Sequence, residues 1–132
     1  DGATLVVHCD GGGDVDVLAD GVTVSITGHG EELEVRGSRA VIRVEQMDDV
    51  DIVGSHNDVR VGRTVESDVD GDDNTLRIDR LSEIDIDGHR NVVALGSVAR
   101  EIEVSGDDNR VTWRSGSPEI DDEGRGNRIT RQ

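Results

Sequence analysis

Asp49-Val50-Asp51-Ile52-Val53-Gly54-Ser55-His56-Asn57-Asp58-Val59-Arg60-Val61 is followed seventeen residues on by Glu66-Ser67-Asp68-Val69-Asp70-Gly71-Asp72-Asp73-Asn74-Thr75-Leu76-Arg77-Ile78. After another seventeen comes Glu83-Ile84-Asp85-Ile86-Asp87-Gly88-His89-Arg90-Asn91-Val92-Val93-Ala94-Leu95. The three lines share Gly-x-x-Asn, an apolar residue two positions before the glycine, and acids three and five before it. Gly-x-x-Asn returns at Gly106–Asn109 and Gly124–Asn127, so the glycines lie 17, 17, 18 and 18 residues apart. The register runs back through Gly37 to Ala19, and in fragments to Gly2. A fixed period of this size marks a chain whose repeats stack on one another.

Hydrophobic spacing within the repeat decides what stacks. Apolar pairs precede the glycine at Val15/Val17, Leu33/Val35, Val50/Ile52, Ile84/Ile86 and Ile102/Val104. A second set follows it at Val24/Ile26, Ile42/Val44, Val59/Val61, Leu76/Ile78, Val93/Leu95 and Val111/Trp113. Period-two alternation buries one face of a strand and wets the other, whereas a helix would scatter these residues around its circumference. Met47, Leu81 and Val98, ten residues after the glycine, predict a short third side or a folded-in corner. The chain therefore reads as all-β, a single-stranded parallel β-helix (β-solenoid) of about seven coils with 17 to 18 residues each. A right-handed winding is expected. Residues 1–132 form one domain on this reading, with 1–13 as an N-terminal partial coil and 14–132 as regular coils ending in a polar cap.

Parallel coils about 4.8 Å apart pile like residues into ladders. Asn57, Asn74, Asn91, Asn109 and Asn127 form a structural ladder, because Asn tolerates left-handed turns and its amide can bond the next coil. The glycines before them are expected to hold backbone angles closed to other residues. At the C-terminal end the inward positions become Asp122 and Arg131, which discourages further stacking. At the other end Leu5, Val7 and Cys9 continue the core pattern, leaving an apolar edge suited to an end-to-end homodimer.

The outward positions carry the charge. Five residues before the glycine stand Asp14, Glu32, Asp49, Glu66, Glu83, Glu101 and Glu119. Three before it stand Asp16, Glu34, Asp51, Asp68, Asp85, Glu103 and Asp121. Two columns by seven rows result, about 4.8 Å between rows and about 6.7 Å between columns. Each vertical pair repels by about 0.9 kcal/mol in bulk-water dielectric, so the face costs roughly 10 kcal/mol before screening. Crowding should raise the carboxylate pKa values on folding. The central acids Asp49, Asp51, Glu66, Asp68, Glu83, Asp85, Glu101 and Glu103 are the candidate cation face, with Ca2+ the natural ion for carboxylate oxygens; a basic protein surface is the other candidate partner. The competing reading is a solvated strand face that discourages aggregation. Arg43, Arg60 and Arg77 form an outward ladder on the other strand, expected to offset part of this field.

Composition limits the alternatives. The net charge of −16 over 132 residues disfavours a nucleic-acid partner, and no run is long and apolar enough for a membrane-spanning helix. Trp113 is the single aromatic residue, so small β-branched side chains must fill the interior. Cys9 has no mate and reads as a small core hydrophobe. His8, His29, His56 and His89 occupy different repeat positions and do not align as a metal cluster. Ser55 beside His56 is a sequence neighbour rather than a catalytic pair. No cofactor is required.

The C-terminal repeats carry a family resemblance. Gly106-Asp-Asp-Asn109-Arg-Val111-Thr-Trp113-Arg-Ser-Gly-Ser-Pro118-Glu-Ile120, then Gly124-Arg-Gly-Asn127-Arg-Ile129, resembles the closing pattern of the bacterial domain of unknown function 3060, common in actinobacteria. The likeness runs from about Val15 to the end. It implies a β-helical domain, exported or associated with the cell envelope, and brings no activity and no functional residues with it. The acidic columns depart from that family's small polar outward residues, and Val22 and Ala40 replace the Asn of the early repeats. The function expected is a noncatalytic binding or scaffold module presenting the acidic face. The alternatives are a carbohydrate-active β-helix enzyme, its sugar-binding accessory domain, or a spacer about 34 Å long.

Overall fold

The computed structural model describes residues 3–132 and is a parallel β-solenoid of about seven coils. Its strands are β1 (Thr4–Asp10), β2 (Asp14–Val17), β3 (Thr23–Val35), β4 (Val41–Ile52), β5 (Asp58–Val69), β6 (Thr75–Ile86), β7 (Val92–Val104), β8 (Arg110–Ser115), β9 (Glu119–Asp122) and β10 (Arg128–Arg131). They stack in the order β1-β3-β4-β5-β6-β7-β8-β10, with β2 on β3 and β9 on β7, every pairing parallel. The reading of Gly2 as a corner glycine lies outside the described residues.

Each central coil is one long bent strand closed by one tight turn. In β4 the inward residues are Ile42 and Val44, then Met47, then Val50 and Ile52, all buried. The pairing with β5 skips Glu45 and Asp48, the bends on either side of Met47. The third apolar position is thus a short side of the coil, continuous with its neighbours. Coils of 17 and 18 residues are reconciled at the same bends. Between β3 and β4 the offset drops from 18 at Ile26↔Val44 to 17 at His29↔Gln46, and Gly28 there takes φ 81°. Burying each Val, Leu or Ile in this interior contributes about 1.5–3 kcal/mol, which replaces the missing aromatic core.

Two hydrogen-bond ladders close the Gly-x-x-Asn turn. Asn74 Oδ1 accepts the Asn57 amide at 2.9 Å, and its Nδ2 donates to the Gly54 carbonyl at 3.0 Å. Asn57, Asn91, Asn109 and Asn127 repeat this clamp on Ala40 and Gly37, Asn74 and Gly71, Asn91 and Gly88, and Asn109 and Gly106. A second ladder uses the residue after the glycine. The amides of Ser38, Ser55, Asp72, His89, Asp107 and Arg125 donate to the side chains of Asp20, Ser38, Ser55, Asp72, His89 and Asp107 in the preceding coil.

These contacts bear out the expected side-chain bond of each asparagine to an adjacent coil and correct the backbone reasons expected for both turn residues. The left-handed position is neither the corner glycine nor the asparagine but the residue two after that glycine: His56, Asp73, Arg90 and Asp108, each just before an asparagine, and Arg39, just before Ala40, with φ between 55° and 61°. The glycine is required for space instead. A Cβ on Gly71 would land on the carbonyl oxygen of Gly54, and one on Gly88 on that of Gly71. The asparagine is required for its paired acceptor and donor, which satisfy backbone groups that no strand can reach.

The two ends differ less than expected. Leu5 is 54% exposed and Val7 half-buried at the N-terminal edge, while Cys9 is buried. At the other end Asp122 and Arg131 are exposed as foreseen, and Asp122 Oδ1 accepts from Asn127 Nδ2 at 2.8 Å. Ile120 beside them remains 40% exposed, so that end is only partly polar.

Candidate functional site

The strand segments that precede each turn place all fourteen acids in register. The outer column pairs Asp14, Glu32, Asp49, Glu66, Glu83, Glu101 and Glu119 in succession. The inner column pairs Asp16, Glu34, Asp51, Asp68, Asp85, Glu103 and Asp121. Inward partners such as Val50, Ile52, Ile84, Ile86, Ile102 and Val104 are buried, and this fixes the acids outward by the pleat.

At the centre the lattice gains a third column that the sequence reading missed. Asp70 and Asp87 stand one residue before their glycines, and Asp87 is among the charges that raise Asp70. Continuing the outward alternation one step past Asp68 and Asp85 would have found them. With Asp68, Asp85, Glu103 and Ser105 they line a shallow depression of about 270 Å³. Glu66, Asp68 and Asp85 each offer a carboxylate oxygen within 4.8 Å of the other two. The remaining candidates Asp49, Asp51, Glu83, Glu101 and Glu103 surround this cluster without being members of it.

Crowding perturbs the acids in the expected direction. Partial burial, a hydrogen bond to Asp51, and the charges of Asp51, Asp85 and Glu66 push Asp68 up to about 7. Glu103 is likewise raised to about 7, first by its hydrogen bond with Asp85, then by the Asp85 charge and by desolvation. The shared cause at these two positions is that neighbouring carboxylates this close do not both ionise readily. Glu32, Asp49, Glu66 and Asp70 are raised too, each chiefly by desolvation and then by its acidic neighbours.

Little basic charge answers them. Arg36 Nε meets Glu34 Oε1 at 2.8 Å, and Arg100 Nη1 lies 3.9 Å from Glu83 Oε2. Among the described residues these are the ion pairs on the face. The ladder Arg43, Arg60 and Arg77 is in register as expected and forms no close ion pair among the described residues; the close pairs on the acidic face come from Arg36 and Arg100. The histidines stay apart, with His8 on Thr27, His29 on Asp48, His56 near Asp73 and His89 accepting from the Asp107 amide. No helix is long and apolar enough to cross a membrane among the described residues.

No curated protein and no solved structure matches the chain. The family model described as "Protein of unknown function (DUF3060)" matches twice in tandem, over residues 17–67 and 69–126, each match taking in about three coils. The acidic lattice spans both matches. The chain belongs to the DUF3060 family.

Proposed function

We propose that the chain is a noncatalytic scaffold whose acidic strand face binds cations, with Glu66, Asp68 and Asp85 as the primary site. The observation that carries this reading is the convergence of three carboxylate oxygens within 4.8 Å at the centre of the face. Oxygen donors of this hardness suit Ca2+, which takes six to eight oxygens and fills its remaining positions with water where protein supplies only three. A site this open matches the weak end of the range, about 10⁻⁴ to 10⁻³ M, used by extracellular modules. That range fits the exported or envelope setting implied by the family resemblance. An open, flat face without water-excluding walls supports binding over catalysis, since shared-proton carboxylates need a closed site to direct chemistry.

Calcium titration followed by calorimetry and by thermal melting tests the proposal. Millimolar Ca2+ should raise the melting temperature beyond NaCl of equal ionic strength, and Asp68→Asn with Asp85→Asn should abolish the difference. An identical response to both salts would refute the reading.

A further inference from the structure

Arg43, Arg60 and Arg77 stand on three successive coils, in register, on the face presented by the strand segments after each turn. Arg63 and Arg80 pair with each other just round the bend. None of the five makes an ion pair among the described residues, although the chain carries 30 acidic residues against 14 arginines. Like charges stacked at strand spacing repel one another, and no close ion pair among the described residues offsets that repulsion along the ladder. The core lies between it and the acidic face, which keeps the two from meeting within one molecule. A groove of about 440 Å³ runs along the ladder and is lined also by Glu45, Gly62 and Asp79.

We propose that this arginine face docks the acidic face of a second copy of the chain. The proposal names the basic partner of that face and so rests on its being a binding surface. The two faces are commensurate. Both ladders are cut from the same coils, so arginine rows and carboxylate rows share one pitch, and three arginines can meet Asp51, Asp68 and Asp85 without accumulating mismatch. An extended peptide places same-face side chains about 6.7 Å apart and drifts out of step with a ladder of about 4.8 Å. Single-stranded nucleic acid would want stacking aromatics, and the chain has only Trp113. Because the joined surfaces differ, each docked pair leaves one face of each kind free, and the contact propagates sideways.

Sedimentation velocity from micromolar to millimolar protein, across ionic strength, tests this. Association should peak near about 0.15 M salt, where a screening length of about 8 Å mutes the net charge of each copy but not contacts between faces. It should weaken at lower salt through whole-molecule repulsion and at higher salt through loss of the pairs. The Arg43→Glu, Arg60→Glu, Arg77→Glu variant and the Asp51→Asn, Asp68→Asn, Asp85→Asn variant should each associate about tenfold or more weakly, as expected for losing three exposed pairs. With folding verified by circular dichroism, an equimolar mixture of the two should form a 1:1 complex and nothing larger, since each keeps one working face. Monomeric wild type at every salt, variants that associate unchanged, or an inert mixture would overturn the proposal. So would polyglutamate or polyphosphate binding to the arginine face of a chain that stays monomeric. Calcium binding by wild type that remains monomeric would leave the cation reading standing and remove only the self-docking.

Discussion

Replacing Asp68 with Asn should stabilise the protein, and the gain should depend on pH in a defined way. Asp68 sits among Asp51, Asp85 and Glu66, and its carboxyl is raised from 3.8 to about 7. The folded state therefore holds this proton more tightly than the unfolded chain does. Its contribution is fully favourable below about pH 4, is lost as pH climbs toward 7, and leaves a constant cost above that. Three decades correspond to roughly 4 kcal/mol at 1.36 kcal/mol each, but the group is only partly buried, so solvent screening reduces the cost to about 1–2 kcal/mol. Asn keeps the shape and can still donate to Asp51 while carrying no charge. Urea and thermal melts between pH 3.5 and 8.5 should show no gain at the acid end and about 1–2 kcal/mol at the alkaline end, or roughly 4–8 °C in Tm for a chain of this size. High salt should shrink the gain. A loss of stability at pH 8, or a gain equal at both ends, would refute the electrostatic account of the face. A residue that costs stability where it stands is also what a binding surface predicts, because selection for function tolerates local strain.

Two further substitutions probe the coil itself. Asn74→Ala strips partners from the Asn57 amide and the Gly54 carbonyl in a buried turn, and should cost about 2–4 kcal/mol in denaturant midpoints at unchanged m-value. Ser67 occupies a core position between Val50 and Ile84, and its hydroxyl is buried without a partner. Ser67→Ala should therefore leave stability unchanged or raise it by about 1 kcal/mol, whereas destabilisation in chemical melts would mean that the hydroxyl has a partner after all.

Much of the fold was legible because a solenoid writes its tertiary contacts into a linear period. Residues 17 or 18 apart become vertical neighbours, so Asp51, Asp68 and Asp85 could be stacked from their spacing alone. Alternation likewise assigned Ile52 and Ile86 to the core and the acids to solvent. The ladder after the glycine was also written in the sequence, since Asp20, Ser38, Ser55, Asp72, His89 and Asp107 all offer a short acceptor at the same step. It went unread because these residue types look unrelated until their shared partner, the next coil's amide, is visible.

Periodicity determined which residues share a row, a column and a face, because stacking at one strand spacing leaves no freedom in that pairing. It could not determine how the turn is built. Gly71 is glycine because the Gly54 carbonyl fills the place of a Cβ, a contact between chain segments that no local backbone preference encodes. Nor could it choose among fourteen equivalent acids. That Glu66, Asp68 and Asp85 are the carboxylates that converge is a matter of side-chain placement, which only three-dimensional packing fixes.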